Sequence, residues 1–246
     1  MNDLILSDIK NHILTITINR FDKQNALLNG MYLSLSALFE QAEQDDNIRC
    51  VVIQGNDNCF SAGNDLNDFL NSTNSITEGG GYQFIQKLGK FNKPLIAAVA
   101  GNAVGIGTTL LLHCDMAIAA DNAKFMLPFA QLGLCPEAAS SYLLPKLVGR
   151  VKAFELLVLG DNFDAHTALE LNLINQVVAP EALLETAQNI ANRLIKIPPQ
   201  ALQKSRELIA DGCKQITAEI MHKEILEFEA LLNTPQSKAI LKHLAK

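Results

Sequence analysis

Hydrophobic and polar residues alternate in the first part of the chain in a pattern that predicts strands. Residues 4–6 and 12–18 predict a β-hairpin that turns at Lys10-Asn11. Apolar residues recur at helical spacing from Met31 to Ala42, which predicts an amphipathic helix, and residues 49–55 predict a strand stopped by glycine. This alternation of strand and helix favours the α/β fold class.

Residues 93–141 form a long stretch that is mostly apolar and almost free of charge. Its segment 94–114 carries no acidic residue, lysine or arginine, which is also the composition of a membrane-spanning helix of about 20 residues. Because Gly101 and the Gly105-Ile106-Gly107 turn interrupt the segment, we interpret it as a buried strand and a short buried helix, and expect no membrane association. The elements predicted here are strands at 94–100, 115–120 and 123–127 and a helix at 108–113.

The chain from Tyr142 onwards is predicted to be almost entirely helical, with one strand at residues 174–178. Pro198-Pro199 breaks the helical pattern. We therefore divide the chain into a core of residues 1–197 and a C-terminal helical region of residues 198–246. Earlier in the chain, the polar and glycine-rich residues 68–81 predict either a mobile loop over a site or a plain surface excursion.

Composition narrows the class of protein. The 246 residues are 48% hydrophobic and 19% charged, as in ordinary globular proteins. The net charge of −6 argues against a nucleic-acid partner, whose binding surface is usually basic. The odd number of cysteines, without metal-ligand spacing, indicates reduced thiols, and Met1 to Leu4 show no signal-peptide pattern, so a cytoplasmic location is expected. The cysteines are Cys50, Cys59, Cys114, Cys135 and Cys213.

The Gly105-Ile106-Gly107 turn is a candidate anion site. If a helix begins at this turn, its first N–H groups are unpaired and the positive end of its dipole faces a ligand. The N–H of Ile106 is then placed to hold a developing negative charge. The alternative is that both glycines serve only tight packing. Leu110 stands where a dinucleotide-binding fingerprint would carry its last glycine, so that motif is absent.

The segment Ser61-Ala62-Gly63-Asn64 offers a second glycine turn, which follows the strand ending at Gly55. This turn is placed to present the N–H of Asn64. The alternative is an ordinary loop in which Asp65 caps a short helix over residues 66–70.

Glu137 is an isolated carboxylate within a mostly apolar stretch, with no cation before Lys146. A partly buried, unpaired carboxyl group has a raised pKa, as a general base near neutral pH requires. The alternative is an acid in the first turn of a helix, where it would interact with the helix dipole. His113 and Cys114 lie in an apolar helix and are predicted to be core residues.

Taken together, these stretches resemble the crotonase superfamily, which comprises enoyl-CoA hydratases and isomerases. The residues that carry the resemblance are Asn19-Arg20 with Asn25-Ala26-Leu27, FSAGNDL (60–66), KPLIAAVAGNAVGIGTTLLLHCDMAIAADNAKF (93–125), LGLCPEAASSYLLPKLVG (132–149) and ALELNLINQVV (168–178). The resemblance implies a spiral of strand-strand-helix (ββα) turns with a C-terminal helical region that mediates trimers. A homotrimer or a dimer of trimers is therefore expected.

The resemblance also implies a substrate and a site. The substrate is an acyl-CoA thioester, whose enolate is held by the backbone N–H groups of Asn64 and Ile106. Coenzyme A is part of the substrate, and neither a metal nor another cofactor is implied. The residues that would contact the acyl-CoA are Ser61, Ala62, Asp65, Leu66 and Gly105, with Lys23 and Gln24 at the nucleotide end.

Two departures from the hydratase pattern indicate a subtype. Thr109 and Phe129 stand where the hydratases of the family carry their two catalytic glutamates. The sequence instead resembles the peroxisomal-type enoyl-CoA isomerases, whose single base maps to Glu137. This implies an isomerase that shifts a double bond from position 3 to position 2 in fatty acid metabolism. The alternatives are a hydratase or another crotonase-type lyase, and an acyl-CoA-binding protein without catalytic activity.

Overall fold

The computed structural model describes residues 4–71 and 75–245, with all their side chains except that of Asp211. The predictions made for the first three residues and for the middle of the 68–81 loop lie outside the described residues. The strands are β1 (Ile5–Lys10), β2 (Ile13–Ile18), β3 (Cys50–Gln54), β4 (Cys59–Ser61), β5 (Leu95–Val99), β6 (Asn102–Val104), β7 (Met116–Ala120), β8 (Lys124–Met126), β9 (Phe163–Asp164) and β10 (Gln176–Val178). The α-helices are α1 (Asn29–Gln44), α2 (Leu66–Asn71), α3 (Gly80–Lys90), α4 (Ile106–Thr109), α5 (Ser140–Val148), α6 (Arg150–Phe154), α7 (Ala165–Glu170), α8 (Leu183–Leu194), α9 (Pro199–Asp211), α10 (Lys214–Leu232) and α11 (Pro235–Leu244).

The strands form two sheets. Over the ranges given above, the larger sheet has the order β1-β2-β3-β5-β7-β10 and is parallel apart from β1, which pairs antiparallel with β2. The smaller sheet has the order β4-β6-β8-β9 and is parallel apart from β9. Strands β3, β5 and β7 of the larger sheet are each followed by a strand of the smaller sheet. Each passage of the chain therefore adds one strand to both sheets, as the expected spiral of strand-strand-helix turns requires.

The passages from the larger to the smaller sheet are tight turns that contact one another. At the β5–β6 turn, Gly101 has a φ of +60°, and a Cβ atom there would lie 1.8 Å from the carbonyl oxygen of Asn58 in the β3–β4 turn. Only glycine fits this conformation at this distance. Asn122, in the β7–β8 turn, accepts a hydrogen bond from the Gly101 N–H and donates one to the Asp57 carbonyl. The three turns are thus held in register, and β4 and β6 end side by side.

The central strands β3, β5 and β7 of the larger sheet are buried on both faces, which explains their nearly continuous apolar sequences. Successive residues, such as Val51 and Val52, face opposite sides of the sheet and belong to two separate buried clusters, one on each face. The main cluster lies between the two sheets, α1 and α3. The second cluster packs under α8 through Leu183 and Ile190.

The C-terminal helices pack against the core of their own chain. On α9, the Arg206 guanidinium bonds both carboxylate oxygens of Asp115 at 2.8 Å. On α10, Met221 and Phe228 are buried, and the Met221 methyl group lies against Gly89 of α3. These contacts join residues 198–245 closely to the rest of the chain, and the division at residue 197 stays a prediction.

The structure confirms the hairpin, the amphipathic helix and the long strands that the pattern predicts. It also contains the short strands β4, β6 and β9, which the pattern did not predict. The buried helix begins at Ile106 rather than at residue 108 and continues as a 3₁₀ turn over Leu110–His113. Among the described residues, none of the helices combines the length and the apolar character needed to cross a bilayer.

Candidate active site

Two loops that follow the parallel strands β4 and β6 meet at one edge of the smaller sheet. A Cβ atom on Gly63 would lie 2.8 Å from the Val104 carbonyl oxygen, and a Cβ atom on Gly107 would lie 2.7 Å from that of Ser61. Gly63 also has a φ of +86°. Both positions therefore require glycine, which lets the two loops pack backbone against backbone. Gly107 thus serves tight packing, which was the alternative role considered for this glycine. The same packing places Ile106 beside the Asn64 loop.

The N–H of Asn64, in the loop after β4, points away from Leu27, with which this loop pairs. Leu27 donates its N–H to the Gly63 carbonyl at 2.8 Å, and Asp65 donates its N–H to the Leu27 carbonyl at 3.0 Å. In such a parallel bridge the residue between the two contacts faces the opposite side. The N–H of Asn64 has no backbone acceptor in the described part of the chain.

The loop after β6 presents the N–H of Ile106, the first residue of α4. The Gly105 carbonyl accepts from Thr108 and Thr109 at 2.9 Å each, which starts the helix. The N–H of Ile106 lies in the first turn, where helical N–H groups have no intrahelical partner, and no backbone acceptor for it occurs within residues 4–71 and 75–245. The two predicted N–H donors thus belong to touching loops at the ends of neighbouring strands.

Glu137 is buried, with 4% of its surface exposed. Thr109, one turn along α4 from Ile106, donates its hydroxyl to Glu137 Oε1 at 2.5 Å. Helix α5 begins only at Ser140, after Ala138 and Ala139 in the left-handed conformation, so the interpretation of Glu137 as a first-turn helix acid is wrong. The contact with Thr109 fixes the carboxyl group to the helix that carries the Ile106 donor.

Burial raises the pKa of Glu137 from an ordinary 4.5 to about 8. The hydrogen bond from Thr109 opposes this shift, and the negative charge of Glu224 adds to it. A carboxyl group with this pKa gains and loses a proton near neutral pH, which is the property of an efficient general base.

Tyr32 of α1 connects the Asn64 loop to the region of Glu137. Its hydroxyl donates to Asn64 Oδ1 at 2.5 Å. Burial, and then the charges of Glu137 and Asp68, raise the pKa of Tyr32 well above its ordinary value, so the phenol stays protonated as a donor. Sequence reasoning missed Tyr32, whose only signal was a hydroxyl on the buried face of an amphipathic helix.

A cavity of about 120 Å³, partly open to solvent, begins at Asn64 and Tyr32. Apolar side chains line part of it, and the carboxylates of Asp68 and Glu229 line another part. Glu137 does not itself line the cavity. The residues around it are Leu27, Asn29, Tyr32, Asn64, Asp65, Asp68, Phe69, Ile76, Gly79, Gly81, Tyr82, Glu229, Leu232 and Asn233.

The remaining predicted binding residues lie in the two loops or in the segment that supports them. Ser61 donates its hydroxyl to the Asn25 carbonyl at 3.0 Å and accepts from the Gly63 N–H at 3.1 Å, which shapes the turn before Asn64. Asp65 pairs with Arg20 at 2.7 Å and accepts from the N–H groups of Asn67 and Asp68, so the predicted helix cap is confirmed. Leu66 begins α2 and is half-buried.

Lys23 and Gln24 are exposed, in the turn that precedes this segment. The Gln24 carbonyl accepts from the Ala62 N–H at 3.0 Å, which brings the predicted nucleotide-contact segment against the Asn64 loop. A Cβ atom on Gly105 would meet no atom within 4 Å, so this residue faces open space. His113 contacts the Ala138 carbonyl at 2.7 Å through Nε2 and Cys114 contacts the Leu110 carbonyl. Both residues are half-buried rather than fully enclosed in the core.

Comparison with known proteins identifies relatives over nearly the whole chain. The family model described as enoyl-CoA hydratase/isomerase matches residues 8–244. The 1,2-epoxyphenylacetyl-CoA isomerase of Escherichia coli is 37% identical over 216 residues, which cover 85% of this chain and 82% of that protein. The enoyl-CoA delta isomerase 2 of Rattus norvegicus is 36% identical over 220 residues, covering 86% of this chain and 55% of the rat protein.

Other relatives of similar identity carry the names of hydratases, so the activities of the relatives are mixed. Among solved structures, that of Pseudomonas aeruginosa OdaA superimposes with a TM-score of 0.96 at 37% identity and covers 99% of both chains.

Proposed function

The chain belongs to the enoyl-CoA hydratase/isomerase family, and from this premise we propose that it is an enoyl-CoA isomerase that moves a double bond from position 3 to position 2 of an acyl-CoA thioester. The observation that carries the proposal is the buried carboxyl group of Glu137, held by Thr109 on the helix that also presents the Ile106 N–H. The rat relative bears the name of an enoyl-CoA delta isomerase, which supports the same reaction.

The reaction begins with removal of a proton from the carbon next to the thioester by the Glu137 carboxylate. The electron pair moves onto the thioester oxygen and gives a dienolate. The N–H groups of Asn64 and Ile106 stabilise that oxygen, and the loss of one such donor typically costs about 100- to 1000-fold in rate. The protonated Glu137 then delivers the proton to the far carbon of the conjugated system, which yields the 2-enoyl-CoA. Proton transfer and oxyanion stabilisation complete the step without a metal or a redox cofactor.

A second carboxyl group next to Glu137 would favour hydration, because water addition uses an acid and a base. Glu224 is the buried carboxylate whose charge acts on Glu137. However, its two oxygens accept hydrogen bonds from the N–H groups of Ala139 and Ser141. Glu224 is therefore committed to the backbone, and one carboxylate is left for a proton shuttle. This supports the isomerase over the hydratase, although relatives with hydratase names keep water addition as the second candidate.

The cavity next to Asn64 suits an uncharged acyl tail. Its apolar wall includes Phe69, Ile76 and Leu232, while Asp68 and Glu229 repel a second negative charge. We place the acyl chain of the substrate in this cavity and the nucleotide end towards Lys23 and Gln24.

The oligomeric state, the metabolic role and the cellular location of the enzyme are part of the same proposal. Val151 and Phe154 on α6 are 81% and 58% exposed, and Ile209 on α9 is 84% exposed. Apolar surface of this kind suits contact with further copies of the chain, in a homotrimer or a dimer of trimers. We assign the enzyme to fatty acid metabolism in the cytoplasm. Light scattering that gave a monomer at micromolar concentration would contradict the assembly.

The function is tested by incubating the protein with 3-enoyl-CoA and 2-enoyl-CoA esters of several chain lengths. Formation of 2-enoyl-CoA from the 3-enoyl ester, much faster than water addition to the 2-enoyl ester, is the expected result. Faster water addition would identify a hydratase. Tight binding without conversion of any ester would identify a binding protein.

A further inference from the structure

Glu224 lies on α10, far along the chain from Glu137, and is 7% exposed. Its Oε2 accepts a hydrogen bond from the Ala139 N–H at 2.6 Å, and its Oε1 accepts one from the Ser141 N–H at 3.0 Å. A buried carboxylate is stable only when its oxygens are hydrogen-bonded. Here both oxygens bind the backbone that immediately follows Glu137.

The backbone at this point has a conformation that needs support. Ala138 and Ala139 both have a φ of 56°, in the left-handed region that residues with a side chain rarely adopt. Successive residues in this region store strain that the surroundings must offset. His113 holds the Ala138 carbonyl at 2.7 Å, and Ser140 returns its hydroxyl to the Glu137 carbonyl at 2.6 Å. Glu224 accepts the two hydrogen bonds, from the Ala139 and Ser141 N–H groups, that connect this turn to the C-terminal helices.

We propose that Glu224 is a positioning residue for Glu137: it fixes the 137–141 turn, and with it the catalytic carboxyl group, through Ala139 and Ser141. The negative charge of Glu224 also adds to the raised pKa of Glu137. The inference rests on the proposed function, since it gives the C-terminal helix a part in the reaction of the same site. Glu224 itself touches neither the cavity nor the two predicted N–H donors.

Few other charges can act on this pair. Tyr32 on α1 keeps its proton because burial and Glu137 raise its pKa, and burial raises the pKa of the Cys135 thiol to about 11. Burial lowers the pKa of His113, which favours its neutral form. Glu227 is exposed on α10 itself.

Tyr82 on α3 contacts His222 of α10 through its hydroxyl, and His222 is exposed, as Glu227 is. Thr109 approaches Glu137 as a neutral donor. Burial raises the pKa of Glu224 itself, and the hydrogen bonds from Ser141 and Ala139 oppose this shift and favour its charged form. The charge of Glu224 is therefore the neighbouring charge whose removal should change the proton affinity of Glu137.

The test is a titration of Glu137 by carboxyl-carbon NMR in protein labelled at glutamate, with the spectrum of Glu137→Gln supplying the assignment. Glu224→Gln removes the charge and keeps one oxygen, which can accept from only one of the Ala139 and Ser141 N–H groups. In this variant the Glu137 midpoint should move to lower pH by at least about half a unit. Glu227→Gln removes a charge from the same helix and should leave the midpoint in place. An unchanged midpoint in folded Glu224→Gln would overturn the proposal.

A second variant separates position from charge. Glu224→Asp keeps the charge but draws the carboxylate back from Ala139 and Ser141 by one methylene. We expect a Glu137 midpoint close to that of the wild type and a kcat for isomerisation at least about 10-fold lower, because the base is misplaced. A wild-type kcat in this variant would also overturn the proposal, and the variant serves if Glu224→Gln does not fold.

The NMR measurement requires no turnover. If the wild-type protein converted no 3-enoyl-CoA while Glu224→Gln still moved the Glu137 midpoint, the proposed reaction would fail and the coupling of the two carboxyl groups would stand. If isomerisation were found and the midpoint did not move, the role of Glu224 would fail alone.

Discussion

Thr109 donates its hydroxyl to Oε1 of Glu137 at 2.5 Å, and both side chains are buried. In the sequence, Thr109 is only a position at which the hydratases of the family carry a catalytic glutamate. The structure shows that the hydroxyl contacts the proposed base directly. This hydrogen bond favours the charged form of Glu137.

The first prediction concerns this hydrogen bond. Thr109→Val keeps the shape but removes the donor, so the pKa of Glu137 should rise further above about 8. Because the base must be ionised, kcat/KM for isomerisation at pH 7 should fall by about 10-fold and recover at higher pH. The pH profile of Thr109→Val is the measurement. Thr108→Val is the matched control, since the Thr108 hydroxyl bonds the Ala103 carbonyl instead. Identical profiles for wild type and Thr109→Val would contradict the prediction.

The second prediction links Glu137 to stability. Its folded pKa of about 8 exceeds the ordinary 4.5, so between these values the folded protein binds more protons at this group than the unfolded chain does. Its contribution to the free energy of unfolding therefore falls as the pH rises through this window, by at most about 1.4 kcal/mol per pH unit. Glu137→Gln cannot titrate, so its stability relative to the wild type should increase from pH 5 to pH 8. Denaturant unfolding of both proteins across this range checks the slope, and a constant difference would rule it out.

The third prediction concerns Tyr32. Tyr32→Phe removes the hydroxyl that holds the Asn64 side chain, and the loop that presents the Asn64 N–H should become less fixed. Since one such hydrogen bond contributes about 1 kcal/mol, kcat should fall by about 3- to 10-fold with little change in KM. Tyr82→Phe is the control, because Tyr82 lines the same cavity but bonds exposed His222. Equal kcat values for the two variants would refute the assigned role of Tyr32.

The fourth prediction concerns the acyl tail. Asp68 and Glu229 line the cavity, so a 3-enoyl-CoA with a terminal carboxylate should react at least about 10-fold more slowly, by kcat/KM, than a neutral ester of equal length. Asp68→Asn keeps an acceptor for the Asn29 N–H and should narrow this difference. Comparable rates for the two esters with the wild type would place the tail elsewhere.

The sequence predicted the parts of the site that depend on local chemistry. Glycine turns indicated the Asn64 and Ile106 donors, and an isolated acid in an apolar stretch indicated Glu137. The central strands β3, β5 and β7 could be predicted because they are buried on both faces of the larger sheet. Strand β9 has only two residues, which is too few to show alternation.

The partners of these residues could not be predicted, because they are distant along the chain. Tyr32 lies 32 positions from Asn64, Thr109 lies 28 positions from Glu137, and Glu224 lies 85 positions from Ala139. Each is a hydrogen bond created by tertiary packing, and no periodic pattern in the sequence records it. The contacts that tune the proposed base are therefore visible only in the folded chain.

The most direct test of the account is the isomerisation of a 3-enoyl-CoA by Glu137→Gln, which keeps the shape of the side chain but removes the base. The account predicts that kcat falls by at least about 100-fold, within the usual contribution of a general base, while the Kd for the CoA ester stays near that of the wild type. Phe129→Leu, a change at the other departure from the hydratase pattern, should keep nearly full activity. Near wild-type isomerisation by Glu137→Gln would show that another group removes the proton and would contradict the account.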